Sequence, residues 1–116
     1  MHPDTPHPVT QRPWGHFIVL RDAHSVWVKK LFIKANARLS LQSHKQRTEV
    51  WIVLQGEIQV QVGERYRHAK PDDVILVPHH RRHRIRGITS ACVLEVAYGH
   101  VFEGDITRYD DDYGRQ

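Results

Sequence analysis

Gln42, His44 and Glu49 stand close together in the stretch LSLQSHKQRTEVWIVLQG, with Gly56 following and Pro78 and His83 further along the chain. An amide, two imidazoles and a carboxylate are all metal donors. A strand through Gln42 and His44 puts both on one face, because side chains alternate across a sheet with period two. The break from Lys45 to Thr48 then lets the chain turn, so that Glu49 comes back toward the same point from a neighbouring strand, as a hairpin would bring it. His83, after the apolar run VILVP, can arrive from elsewhere in the fold. Two nitrogens and two oxygens suit a divalent ion, with Zn first and Mn, Co, Ni or Fe as alternatives, better than a soft thiolate site. Ligation also gives His44 and Glu49 a reason to sit among apolar strand residues, where an unpaired charge is costly.

The elements that must position these donors are short. Alternating or continuous apolar runs recur at HFIVLRD, SVWVKKLFIK, RLSLQS, EVWIVLQG, EIQVQVGE, VILVP, HRIRGI and ACVLEVAYG, each bounded by Gly, Pro, Asn or Asp turns. The pattern is all-β. Only GDITRYDDDYG near the end offers a short turn of another kind. Strands of this length closing on themselves enclose a lumen wide enough for side chains and one small ligand, and the lumen is where the donors would meet.

Two spaced motifs now carry a resemblance. Asn36, five residues, Gln42, one residue, His44, four residues, Glu49, six residues and Gly56 form the first; Asp72, five residues, Pro78, one residue, His80, two residues, His83, three residues and Gly87 form the second. Both resemble the signature motifs of cupins, which imply a single double-stranded β-helix, the jelly-roll barrel. The family has Gly where Asn36, Asp72 and His80 stand, and His where Gln42 stands. Gln in that first ligand position, together with RPWG near the start and GDITRYDDDYGR at the end, is similar to type II phosphomannose isomerases in their stand-alone form. The likeness runs from about Arg12 to Arg115.

The resemblance implies a metal held by Gln42, His44, Glu49 and His83, catalytic roles for Arg47 and Glu49, and a sugar phosphate as the small-molecule partner. The implied reaction interconverts mannose 6-phosphate and fructose 6-phosphate: a proton leaves C2 and one returns to C1. Guanidinium binds phosphate oxygens in a bidentate fork, which makes Arg81 and Arg82, on the approach to His83, candidates for the phosphate. Lys30, beside Lys29 and near Lys34 on one strand, is a third. Arg108, Asp112, Tyr113 and Arg115 match the closing motif, a segment suited to folding across the barrel mouth. The chain departs from the family at Lys45, Gln46 and Val50, where histidines are usual; loss of a polar group at Val50, beside Glu49, bears on proton transfer. His80 in a glycine position bears on the loop before His83. These losses leave a second expectation, a non-catalytic sugar-phosphate or sugar-nucleotide binding cupin.

Composition bounds the rest. At 116 residues the chain forms one domain, for which dimerisation would help stability, so a homodimer is expected. The proline-rich opening reads as a flexible arm over residues 1–12, leaving a barrel over 13–116. No run approaches the roughly 20 apolar residues that span a bilayer, and the lone Cys92 has no intrachain partner, which fits a reducing cytoplasm. The net charge of +4 is concentrated from His79 to Arg86. Alternation puts Arg82, Arg84 and Arg86 opposite His83 and Ile85, and for Arg84 and Arg86 this reads as a solvated outer face rather than a nucleic-acid site.

Overall fold

The computed structural model describes residues 7–115. Every regular element among them is a strand: β1 (Val9–Arg12), β2 (Gly15–Asp22), β3 (Val26–Ile33), β4 (Leu41–Ser43), β5 (Arg47–Gln55), β6 (Ile58–Val62), β7 (Arg65–Ala69), β8 (Val74–Val77), β9 (His83–Gly87), β10 (Ala91–Gly99) and β11 (Thr107–Asp110). They form two antiparallel sheets, one in the order β1-β2-β3-β10-β5-β8 and the other β11-β4-β9-β6-β7. This is the jelly-roll arrangement that the cupin resemblance implies, built from the all-β pattern of the sequence.

The inner face of the larger sheet is a grid read directly from its register. Leu31, Val93 and Val53 form one row across β3, β10 and β5; Lys29, Glu95 and Trp51 form the next; Trp27, Ala97 and Glu49 form a third. The lumen therefore changes from apolar at one end to charged at the other. At the apolar end Val53, Ile58 and Val93 are fully buried, with Ile85 and Val60 packed against them. Each such side chain contributes about 1.5–3 kcal/mol relative to exposure, which anchors a scaffold rigid enough to hold ionisable groups at the other end. Trp14 and Trp51 are core residues.

Four expectations change. Residues 1–6 of the expected arm lie outside the described residues, whereas Val9–Arg12 is a strand paired with β2; Val, Thr and Gln suit a strand once the prolines stop. β4 and β5 are not a hairpin. The chain passes from one sheet to the other around Lys45, so Glu49 faces His44 and His83 across the lumen. The segment read as a turn contains β11, paired with β4. Its Asp110 draws in Arg84, which is buried rather than solvated: Arg84 Nε donates to Leu39 O at 2.8 Å and its Nη1 to Asp110 Oδ2 at 3.2 Å.

All three departures from the cupin glycines take the conformation glycine would: φ is 65° at Asn36, 76° at Asp72 and 68° at His80. Asn and Asp adopt this region more readily than other residues. His80 is held there because its amide donates to His44 O at 2.6 Å, which ties the loop before β9 to the residue after β4. Glycine is retained at Gly56, where φ is 74° and a Cβ would lie 2.1 Å from Ser90 O.

Candidate metal centre

His44 follows β4, His83 opens β9 and Glu49 lies on β5 in the facing sheet. All three are at least 97% buried. His44 Nδ1 lies 2.6 Å from Asp105 O and His83 Nδ1 lies 2.9 Å from Arg81 O. A carbonyl only accepts, so each Nδ1 carries the hydrogen and each neutral ring turns an Nε2 lone pair into the lumen. The two Nε2 atoms are 3.1 Å apart. Glu49 Oε2 lies 3.3 Å from His44 Nε2 and Oε1 lies 3.7 Å from His83 Nε2.

Burial, then the Arg47 charge and the other imidazole, pushes His44 down to about 3. Burial takes His83 down to about 4. Both rings are thus neutral at ordinary pH, and two lone pairs and a carboxylate converge with no proton between the nitrogens. A cation fits that arrangement, and backbone carbonyls orient the imidazoles as metal-ligating histidines require. Arg47 supplies positive charge at the edge of the group: its Nε donates to Glu49 Oε2 at 3.0 Å and its Nη2 approaches His44 Nε2 at 3.2 Å. Trp51 Nε1 donates to the other carboxylate oxygen at 3.2 Å.

Gln42 is the direct cross-strand partner of His83, and both line a cavity of about 90 Å³ with Glu49. The structure therefore gathers His44, Glu49 and His83, with Arg47 at their edge, and sets Gln42 beside His83 in the wall of the same cavity as Glu49. It does not bring Arg81, Arg82 or Lys30 there. Arg81 lies against Gly63 and lines an outer groove with Tyr66 and Leu76. Arg82 stacks over Tyr109 at 3.8 Å. Lys30 alternates outward, while Lys29 is buried in the lumen, 3.7 Å from the Trp27 ring centre and paired with Glu103 at 2.9 Å. Both faces of β3 carry apolar residues, so alternation alone did not say which lysine points inward.

Two further findings concern the departures from the family. Val50 alternates away from Glu49 and Trp51, so the residue there is outside the lumen and its change removes no group from the cavity. Gln46 is at the periphery, with Oε1 2.9 Å from His100 Nδ1. Glu95, missed in the sequence because it sits inside the apolar run ACVLEV, lines the cavity. Burial, then the neighbouring Glu49 charge, pushes its carboxyl up to about 8 against the pull of Lys29 and Arg47.

Two facing antiparallel sheets with two histidines and a carboxylate gathered between them define a cupin. An RmlC-like cupin from Shewanella frigidimarina has the same fold, with a TM-score of 0.73 at 18% identity over 84% of this chain and 87% of that one. The mannose-6-phosphate isomerase C-terminal family matches residues 2–111, and the chain belongs to that family. The xanthan biosynthesis protein XanB of Xanthomonas campestris pv. campestris is 34% identical over 112 residues, covering 94% of this chain and 24% of that protein. The alginate biosynthesis protein AlgA of Pseudomonas syringae pv. tomato is 36% identical over 107 residues, covering 90% and 22%. The chain spans about a quarter of the length of these relatives. Among the described residues no helix is long and apolar enough to cross a membrane.

Proposed function

We propose that this chain is a metal-dependent aldose–ketose isomerase that interconverts mannose 6-phosphate and fructose 6-phosphate, with Gln42, His44, Glu49 and His83 holding a divalent ion, zinc first. The observation that carries the reading is the convergence of two imidazole Nε2 atoms, 3.1 Å apart, with the Glu49 carboxylate in a buried cavity. A bound metal would supply Lewis-acid stabilisation of charge on the sugar's C1 and C2 oxygens.

The chain's own groups do the rest. Glu95 is a buried carboxyl in the cavity wall outside the ligand set, while Glu103 is tied to Lys29. The proposal gives the proton to the ionised form of Glu95, which a value of about 8 makes dominant only at alkaline pH: it takes one from C2 and returns one to C1, while the O2 proton passes to O1. Arg47 orients Glu49 through the 3.0 Å bond to Oε2, and it is near enough to share in stabilising charge at the metal end. Trp14, Trp51 and Phe17 limit water around the reacting carbons. A homodimer in the cytoplasm completes the reading, on the grounds of size and cysteine use given above.

The test is a coupled assay for fructose 6-phosphate formation from mannose 6-phosphate, on metal-stripped protein and after single additions of Zn, Mn, Co or Ni. Metal-restored turnover supports the isomerase. Silence with every metal, from a folded protein that still binds the sugar phosphate, leaves the non-catalytic binding cupin.

A further inference from the structure

Counting charges around the cavity leaves a surplus at one end. Lys29 is paired with Glu103 at 2.9 Å, Arg47 with Glu49 at 3.0 Å and Arg115 with Asp111 at 2.9 Å. Arg12 and Arg108 also line the cavity, and no carboxylate pairs with either among the described residues. Arg12 spends one nitrogen on Gln11 O at 3.0 Å and lies 5.1 Å from the Phe17 ring centre. Arg108 Nε is buried and has no hydrogen-bond partner among the described residues, a cost that an acceptor would remove.

The register shows where this surplus lies. Arg108 is opposite Gln42, and Gln42 is opposite His83, across β11, β4 and β9. Directly opposed residues share a face, so the three form one row on the inner side of the smaller sheet. Two strand spacings put Arg108 about 10 Å from His83, backbone to backbone. A six-carbon chain with its reacting carbons at one end and an anion at the other spans such a row once the side chains reach inward.

We propose that Arg12 and Arg108, backed by the Asp111-braced Arg115, seat the phosphate of a phosphomonoester whose reacting end lies against His44, Glu49 and His83. This rests on the sugar-phosphate reading above and names the residues that hold the charged end. Two unpaired guanidinium groups match a dianion in charge, and the Nε and Nη2 edge of Arg108 can meet two phosphate oxygens at once. Arg81, Arg82 and Lys30 stand outside the cavity.

Isothermal titration of the metal-free protein, with inorganic phosphate and separately with mannose 6-phosphate, tests the seat. The unmodified chain binds both; Arg108→Gln weakens both by at least about tenfold, Arg12→Gln weakens both, and Arg81→Gln and Arg82→Gln change neither. Arg108→Lys keeps the charge and loses the fork, and it weakens phosphate binding at an unchanged melting temperature. Absence of phosphate binding by the unmodified chain, or undiminished binding in Arg108→Gln, overturns the seat. Phosphate binding that depends on Arg108 with no sugar conversion under any metal overturns the isomerase and leaves the seat standing. Conversion with an unchanged KM in Arg108→Gln does the reverse.

Discussion

His44 Nε2 and His83 Nε2 face each other at 3.1 Å, each turned inward by a backbone carbonyl on its other nitrogen. One carbonyl comes from Asp105, far along the chain, and the other from Arg81, two residues before the ring it holds. The pair is thus fixed from two independent directions before any ion enters. Pre-orientation of this kind reduces the ordering cost of binding.

Glu49→Gln keeps the shape and removes the charge that balances a divalent ion. After dialysis, metal content measured by elemental analysis is expected to fall from about one ion per chain to near zero, with turnover lost alongside it. Full metal content in an active variant would remove Glu49 from the ligand set.

The metal-free protein should lose stability as the solution is acidified below about pH 6. Both rings lie lower in the folded state, near 3 and 4, than the ordinary value of 6.5. The unfolded chain therefore takes up protons first. The neutral-ring contribution is complete above 6.5 and is lost progressively as pH falls toward 4 for His83 and 3 for His44, by up to about 1.4 kcal/mol per ring per pH unit. Melting temperature against pH reads this, and His83→Gln is expected to make the slope shallower. A melting temperature flat from pH 7 to 5 would contradict the burial of neutral rings.

His80→Gly should stabilise the protein by up to about 1 kcal/mol, because His80 carries a φ of 68° that costs a residue with a Cβ and costs glycine nothing. The greater freedom of glycine in the unfolded chain offsets part of the gain. Urea denaturation measures it. A clear loss of stability would mean that the His80 side chain, packed edge-on to His79 at 4.8 Å, matters more than the backbone.

Glu95→Gln removes a carboxyl from the cavity wall with little change in volume. In a chain that shows metal-restored turnover, kcat is expected to fall by about a hundredfold or more, with KM and metal content held. A matching loss of metal would make Glu95 a support for Glu49 instead of the proton carrier.

Much of the site was legible in order along the chain. Period-two alternation and motif spacing marked Gln42, His44, Glu49 and His83, because a strand's own geometry decides which of its side chains share a face. The resemblance placed Asn36, Asp72 and His80 in glycine positions, and the structure showed that all three keep the left-handed backbone. An all-β fold followed from eight short runs with turn residues between them.

Packing between distant segments decided the rest. Alternation made Lys29 and Lys30 equivalent, and only the larger sheet's burial of the face shared by Trp27 and Leu31 turned Lys29 inward. Arg84 read as solvated until Asp110 on β11 covered it. Glu49 met the histidines across the lumen instead of along a hairpin, and Arg12 and Arg108, almost the length of the chain apart, came to share a cavity. A strand's sequence specifies its two faces; which face is buried, and against what, is set by sheets assembled from residues far apart in the chain.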